Sequence, residues 1–283
     1  MVNVDEYGQF ETAWCPGCGD HAILATLKKT LAGLGLAPHE VLLVSGIGQA
    51  AKLPQYLNCN MFNGLHGRSL PPATGARLAN PRLKIIAVSG DGCNYGEGGN
   101  HFLAALRRNP DITLLAHDNQ IYGLTKGQAS PTTAQGQKTK AQPGGQASAP
   151  FNPLAVAVAM RVSFVARGFS GDTEQLADLM AQALNTPGFA LLDILQPCVS
   201  FNKVNTFAWY KQRCYHLGPE HDPTDFNAAM GKAMEFGERI PTGVIWRGDR
   251  QPFEDVVSGA GMQPLAGRSV DKAALKRIME TFA

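Results

Sequence analysis

Apolar segments alternate along this chain with segments of helical periodicity, and several of the apolar segments run directly into glycine-bearing or polar turns. The predicted strands are residues 41–45, 83–89, 112–117, 163–167, 190–194 and 243–246. The predicted helices are residues 20–34, 73–78, 99–108, 153–160 and 173–184. This alternation is typical of an α/β fold with a mainly parallel sheet and helices on both faces. Such sheets bind ligands at the carboxyl ends of their strands, so the site is expected there.

The composition of the 283 residues is ordinary for a globular protein, with 44% hydrophobic and 17% charged residues. A net charge of +2 gives no reason to expect nucleic acid or a membrane surface as a partner. The first residues are acidic and polar, and no apolar run reaches the roughly 18 residues of a membrane helix. A cytoplasmic location is therefore expected. Residues 134–150 are low in complexity and are predicted to form a mobile loop.

A Gly-Asp-Gly turn follows the second predicted strand. Asp91 lies between Gly90 and Gly92, and Asn119 follows the next strand 28 residues later. One strand–helix–strand unit places Asp91 and Asn119 on neighbouring strand ends. Their oxygens, with the carbonyl oxygen of Ile121, suit a Mg²⁺ ion that also holds a diphosphate. The missing Cβ atoms of the two glycines allow a ligand to approach the backbone. The alternative is a simple tight turn, against which the spacing of Asn119 argues.

A second glycine-rich turn at residues 46–48 fits a loose dinucleotide-binding pattern, because it also follows a predicted strand. The acidic residue that would bind the ribose about 20 residues later is missing. No Asp or Glu occurs between Glu40 and Asp91. The sequence therefore favours the diphosphate and metal site over a dinucleotide site.

The six cysteines are poor candidates for structural disulfides in a reducing cytoplasm. Cys15 and Cys18 form a C-x-x-C pair after Trp14, as in thioredoxin, but polar and irregular residues precede the pair instead of a buried strand. A structural zinc site would need two further Cys or His ligands, and the chain has no second C-x-x-C pair. The residues alone leave both alternatives open.

Four segments of the sequence match the pattern of one enzyme family in the same order. They are WCPGCG at 14–19, GIG at 46–48, LHGR at 65–68, and GDGCNYGEGGNHFLAALRRN with DNQIYGLTKGQASPT across 90–132. The chain thereby resembles the β subunit of 2-oxoacid:ferredoxin oxidoreductases, over about residues 11–215. The resemblance implies a thiamine-diphosphate-binding fold. We predict a domain at 1–215 that includes the cysteine segment, and a C-terminal extension at 216–283 that packs on the same domain or on a partner.

The resemblance also implies a [4Fe-4S] cluster with Cys15, Cys18 and Cys198 as ligands. The family's further cysteine directly follows Gly-Ile-Gly, where this chain has Gln49. Cys59 lies ten residues beyond Gln49 and is predicted to supply the fourth thiolate. The alternatives are a three-cysteine site with a non-protein ligand, or no cluster.

Polar residues around these turns give the remaining site predictions. The resemblance implies that Lys52 binds the carboxylate of a 2-oxoacid and that Leu124 lies against the thiazolium ring. A solvated surface position is the alternative for Lys52. His66 is predicted to hydrogen-bond the cofactor or to transfer a proton, and the alternative is an ordinary turn histidine. The other predicted cofactor contacts are Gly48, Arg68, Gly90, Gly92, Cys93 and Thr125.

The implied reaction is the oxidative decarboxylation of a 2-oxoacid to an acyl-CoA, with electrons passing through the cluster to ferredoxin. In the family a partner α subunit supplies the glutamate that activates thiamine diphosphate, so an obligate complex is expected. The alternatives are a thiamine-diphosphate decarboxylase or synthase subunit without redox function, and a subunit that binds the cofactor without catalysis. The sequence identifies neither the 2-oxoacid nor the role of Lys138 and Lys140, which could bind coenzyme A or only solvate a lid.

Overall fold

The computed structural model describes residues 2–257 and 264–282. The helices are α1 (Gly19–Gly33), α2 (Leu70–Ala79), α3 (Gly99–Arg108), α4 (Pro153–Ala159), α5 (Thr173–Asn185), α6 (Phe207–Arg213), α7 (Phe226–Met234), α8 (Phe253–Val256) and α9 (Lys272–Glu280). The strands are β1 (Val41–Ser45), β2 (Asn60–Asn63), β3 (Lys84–Gly90), β4 (Ile112–Asp118), β5 (Phe164–Phe169), β6 (Phe189–Leu195), β7 (Cys214–His216) and β8 (Ile240–Arg247). Short 3₁₀ helices span Val4–Tyr7, Pro38–Glu40, Ala50–Tyr56 and Leu265–Gly267, and Gly92–Glu97 is π-helical.

Within the described residues these strands form one eight-stranded sheet, in the order β2-β1-β3-β4-β6-β5-β8-β7. Neighbouring strands are parallel except for β5 and β8, which are antiparallel. The carboxyl ends of β1, β3, β4 and β6 therefore meet at one edge of the sheet. The predicted α/β class with a mainly parallel sheet is confirmed.

Helices cover both faces of the sheet. On one face α1 and α5 contribute Leu27 and Leu179 to a core, and on the other face α3 and α4 contribute Phe102 and Leu154. The central strand β4 is buried along its whole length. Burial on both faces explains why the strands have continuous apolar runs, without the alternation of a half-exposed strand.

The sequence does not predict β2, α6, β7 or α7. Every residue of β2 is exposed, including Met61 and Phe62, and the strand lies at the edge of the sheet. An edge strand of this kind has no buried apolar run that would indicate it. The predicted strand at 243–246 lies inside β8, and the predicted division at residue 215 falls inside β7.

The low-complexity segment 134–150 folds back on itself through backbone hydrogen bonds. The N–H of Gly136 donates to the Gln146 carbonyl over 2.7 Å, and the N–H of Gln146 donates to the Gln137 carbonyl over 2.9 Å. No helix within the described residues is long and apolar enough to cross a membrane.

Candidate active site

Asp91 and Asn119 lie at the carboxyl ends of the neighbouring strands β3 and β4. Gly90 pairs with His117 in the register of these strands, so both polar residues follow closely on the last paired positions. The Oδ1 of Asn119 accepts a hydrogen bond from the N–H of Ile121 over 3.0 Å, which makes a tight turn at the strand end. A carboxylate, an amide oxygen and the Ile121 carbonyl thus lie at adjacent strand ends, a donor set that suits a hard cation.

Two hydroxyl groups hold the carboxylate of Asp91 from the segment after β4. Its Oδ2 accepts hydrogen bonds from Ser130 Oγ (2.5 Å) and Thr132 Oγ1 (2.6 Å). Thr132 Oγ1 also lies 2.8 Å from Asp118 Oδ1. Burial raises the pKa of Asp91, and the hydroxyl donors oppose that rise. Sequence reasoning missed Ser130 and Thr132, whose only signal is their place at the end of the matched segment.

The space in front of Gly92 belongs to the ring of Tyr122. A Cβ atom built on Gly92 would overlap this ring, and one built on Gly96 would lie 2.5 Å from the Tyr122 hydroxyl. A Cβ on Gly90 would have only an ordinary contact of 3.7 Å, with the His117 carbonyl oxygen. The missing side chain of Gly92 thus makes room for Tyr122, while the predicted cofactor contact of Gly92 stays a prediction.

The side chain of His66 contacts Glu97, in the π-helical segment that follows Asp91. The imidazole Nε2 lies 2.8 Å from Glu97 Oε2, and the Tyr122 hydroxyl donates to the same oxygen over 3.1 Å. The other imidazole nitrogen, Nδ1, is buried without a hydrogen-bond partner in the protein. The predicted contact of His66 with the cofactor stays a prediction. Arg68, the predicted phosphate contact on the same turn, is exposed.

The turn after Tyr122 presents Leu124 and Thr125 to solvent. Leu124 is 43% exposed, and the Thr125 hydroxyl donates to the Gln128 side chain instead of standing free. Lys52 is half-buried in the 3₁₀ helix that follows β1, and Gly48, just before that helix, has a φ of +137°. All of these residues follow β1 or β4, at the carboxyl ends of the strands, where the sequence predicts the site.

Cys93 is buried between the turns at residues 46 and 67. Its Sγ accepts a hydrogen bond from the N–H of Gly67 over 3.1 Å, and a Cβ on Gly46 would overlap the sulfur. Burial raises the pKa of this thiol. The thiol thus packs the turns at residues 46 and 67 against the segment that follows Asp91. The predicted contact of Cys93 with the cofactor stays a prediction.

Cys15, Cys18 and Cys198 line one pocket at the carboxyl ends of β4 and β6. Ser200 Oγ donates to Cys15 Sγ over 3.1 Å, and Gln196 Nε2 donates to Cys18 Sγ over 3.2 Å. Burial, and then the charge of neighbouring Asp20, raises the pKa of the Cys18 thiol well above its ordinary value. The further residues of the pocket wall include Trp14, Gln49, Asn119, Gly123 and Phe201.

Cys59 does not belong to this pocket. It directly precedes β2, whose first residue Asn60 pairs with Leu42 near the amino end of β1. Its side chain packs on the core beside Tyr7, and burial raises its pKa to about 11. The structure therefore does not bring Cys59, the predicted fourth thiolate, together with the three other cysteines, because Cys59 lies near the amino ends of the strands.

A buried charged cluster lies beneath the strand ends. Asp118 and Asp193 are buried, and the Nε of the buried Arg167 lies 3.7 Å from Asp193 Oδ2. Burial raises the pKa of Asp193 to about 6, against the opposing effect of Arg167. Sequence reasoning missed this cluster, because single charged residues inside apolar strands have no recognisable spacing.

A further buried pair connects β4 with the start of α1. His117 Nδ1 lies 2.6 Å from Asp20 Oδ1, and both side chains are buried. Asp20 Oδ2 also accepts a hydrogen bond from the Cys18 thiol over 3.4 Å. The pair therefore holds the C-x-x-C segment against the carboxyl end of β4.

Comparison with known proteins agrees with this arrangement. Residues 44–194 match the family model of the thiamine pyrophosphate enzyme C-terminal TPP-binding domain. Residues 198–261 match the model for the C-terminal region of the pyruvate ferredoxin oxidoreductase β chain. The first match covers more than half of the sequence and includes both Asp91 and Asn119. The fold and this site define a thiamine-diphosphate-binding enzyme.

Relatives narrow that class. The β subunit of 2-oxoacid:ferredoxin oxidoreductase 1 from Aeropyrum pernix is 45% identical over 244 residues, which cover 82% of this chain and 77% of the relative. The β subunit of the second such enzyme from that organism is 41% identical over 274 residues, covering 91% and 89%. A solved 2-oxoglutarate:ferredoxin oxidoreductase from Magnetococcus marinus superimposes with a TM-score of 0.90 at 31% identity, covering 98% and 96% of the two chains. This chain belongs to the β subunits of 2-oxoacid:ferredoxin oxidoreductases.

Proposed function

We propose that this chain, together with an α subunit, converts a 2-oxoacid and coenzyme A into CO₂ and an acyl-CoA, and passes the released electron pair to ferredoxin. The observation that carries the proposal is that two sites, the Asp91 strand end and the cysteine pocket, lie close together at the carboxyl ends of the strands. Asn119, beside the Asp91 strand end, also lines the pocket of Cys15, Cys18 and Cys198. A thiamine enzyme without redox function would have no use for these cysteines.

The donors at the strand ends support a Mg²⁺ ion that fixes the diphosphate of the cofactor. Asp91, Asn119 and the Ile121 carbonyl would hold the ion, and such an ion keeps its remaining positions for phosphate and water. Bound there, thiamine diphosphate supplies a nucleophilic carbanion and an electron sink. The buried and unpartnered Nδ1 of His66 supports a hydrogen bond from this side chain to the cofactor or substrate.

Two further residues support binding of the substrate. Lys52 follows the turn after β1 and offers a point charge for a carboxylate. The exposed Leu124, in the turn after Tyr122, offers apolar surface to a substrate. The solved relative binds 2-oxoglutarate, coenzyme A and succinyl-CoA, so 2-oxoglutarate is the first substrate to test on this chain.

The cysteine pocket supports an iron–sulfur cluster, which is held in proteins mainly by cysteine thiolates. Iron binding requires loss of the thiol protons, so the raised pKa of Cys18 means that loading releases protons and depends on pH. Thiols of this kind must stay reduced, which supports a cytoplasmic location.

The test is an anaerobic assay of the chain co-expressed with its α subunit, using a panel of 2-oxoacids, coenzyme A and a viologen acceptor. We expect viologen reduction that depends on coenzyme A and is lost in Asp91→Ala, together with iron and an EPR signal after dithionite reduction. Decarboxylation without viologen reduction or iron would instead identify the non-redox alternative. A complex that binds thiamine diphosphate but turns over no 2-oxoacid would identify a cofactor-binding subunit.

The metal assignment has its own test, with a matched pair of variants. Ser130→Ala and Thr132→Val remove the donors to Asp91 without removing the carboxylate. In the complex with the α subunit, we expect each to weaken Mg²⁺-dependent binding of thiamine diphosphate by about tenfold, as is typical for groups that orient a metal ligand. Cofactor binding that is independent of Mg²⁺ in the wild type would exclude the ion from this site.

A further inference from the structure

The oxygen-bearing side chains of the cysteine pocket differ in whether they already have partners. Asp20 contacts His117 through Oδ1 and Cys18 through Oδ2. The Ser200 hydroxyl donates to Cys15. These side chains are therefore engaged in holding the pocket together.

The two amide side chains on the far wall are engaged as well. Asn119 Oδ1 accepts from the N–H of Ile121, and its Nδ2 donates to Gln196 Oε1 over 3.2 Å. Gln196 in turn donates to Cys18 Sγ and to the Pro197 carbonyl. Both amides therefore brace the pocket wall and the strand ends beside it.

Gln49 is the exception among the described residues that line this pocket. Its side-chain oxygen Oε1 is buried and has no hydrogen-bond partner in the protein. Its backbone is fixed, since the Trp14 indole donates to the Gln49 carbonyl over 2.8 Å. A buried amide oxygen without a donor costs about 1 to 3 kcal/mol, so a bound group that contacts this oxygen would remove that cost.

The side chain of Gln49 lies close to Cys198. A Cβ atom built on Gly123 would lie 3.9 Å from Gln49 Cγ and 4.0 Å from Cys198 Sγ, so both side chains flank the same point. With Cys15 and Cys18 also in its wall, the pocket is lined by three cysteines and by Gln49, whose buried side-chain oxygen has no partner in the protein. An iron–sulfur cluster of the four-iron type needs four ligands, one for each iron.

We propose that Gln49 is the fourth ligand of the cluster, through its side-chain oxygen. This inference rests on the cluster proposed above. A neutral oxygen replaces an anionic thiolate there, so the ligand set is one charge less negative and holds one iron more weakly. The reduction potential of a cluster follows its net charge. The chain therefore carries a cluster with a higher potential than a four-thiolate version, and one iron of this cluster is exchangeable.

The exchangeable iron gives a readout apart from turnover. Loss of Fe²⁺ from [4Fe-4S]²⁺ leaves [3Fe-4S]⁰, and removal of one electron by ferricyanide gives [3Fe-4S]⁺, which has its own EPR signal. The experiment follows this signal, and the uptake of isotopically labelled ferrous iron, in the anaerobic complex with its α subunit. The variants are Gln49→Cys, Gln49→Glu and Gln49→Leu, which offer a thiolate, an anionic oxygen and no ligand.

We expect the wild type to exchange one iron about tenfold more slowly than Gln49→Leu and faster than Gln49→Cys, in keeping with the effect of removing one metal contact. The potential should fall from the wild type to Gln49→Glu and further to Gln49→Cys. Equal iron loss in the wild type and Gln49→Leu would overturn the proposal, as would equal potentials in the wild type and Gln49→Cys. A wild-type complex with no iron at all would instead refute the cluster itself, which separates the two failures.

Discussion

The imidazole Nε2 of His66 lies 2.8 Å from the Glu97 carboxylate, and the Tyr122 hydroxyl donates to the same carboxylate oxygen over 3.1 Å. Three segments that are far apart in the sequence thus meet at one oxygen. The contact fixes the imidazole so that its buried Nδ1 is the nitrogen left without a partner. Glu97 therefore positions His66.

Replacement of Glu97 by alanine should loosen the His66 ring and lower kcat of the complex by about 10- to 100-fold, the range expected for losing a charge-assisted hydrogen bond. Glu97→Gln keeps an acceptor oxygen and should lose much less. Thiamine diphosphate binding should change little in either variant, because Glu97 is not among the proposed Mg²⁺ ligands. Equal kcat in the wild type and Glu97→Ala would rule out the positioning role.

Gly92→Ala should destabilise the chain by about 1 to 3 kcal/mol, because the added methyl group overlaps the Tyr122 ring. Gly99→Ala is the control, since a Cβ at Gly99 meets nothing within 4 Å. The double variant Gly92→Ala/Tyr122→Ala should recover part of the loss. The free energy of unfolding from denaturant titration measures all three, and equal values for Gly92→Ala and Gly99→Ala would contradict the packing argument.

The cysteine variants should separate into two classes. Cys198→Ala removes a thiol from the pocket and should abolish or destabilise the cluster, whereas Cys59→Ala should leave iron content and the EPR signal unchanged. Iron analysis of the anaerobically purified complex makes the comparison directly. Iron loss in Cys59→Ala with retention in Cys198→Ala would reverse the assignment of both residues.

Asp193 should make the chain less stable as the pH rises. Burial raises its pKa from 3.8 to about 6, so the folded chain binds a proton more tightly than the unfolded chain does. The stabilisation is fully present below pH 3.8 and is lost as the pH rises through about 6. In Asp193→Asn, the free energy of unfolding should therefore fall less than in the wild type across this window. Denaturant titrations at several pH values test this, and parallel curves would exclude the contribution of Asp193.

Much of the fold follows from the sequence, because buried parallel strands have long apolar runs that end in glycine or polar turns. Strand β1 and helix α3 have the bounds that the sequence predicts. Asp91 and Asn119 could be placed on adjacent strand ends, since one strand–helix–strand unit separates them and the register of β3 and β4 puts them side by side.

The remaining features depend on contacts that no local pattern encodes. Strand β2 has no apolar run because it is exposed at the edge, and β8 enters the sheet antiparallel from the C-terminal part. Cys59 is close to Gln49 in sequence, yet the 3₁₀ helix Ala50–Tyr56 carries the chain back toward the amino ends of the strands. Counting residues from Gln49 could not reveal this reversal of direction.

The exposed strand β2 has a practical consequence for handling the protein. It ends the sheet with open backbone hydrogen-bonding groups and exposes Met61 and Phe62, and Leu65 just beyond it is 66% exposed. A bare strand edge with apolar side chains is a template for pairing with another copy. We therefore expect the chain to self-associate and precipitate when it is produced alone at high concentration, and to stay dispersed when this edge is shielded.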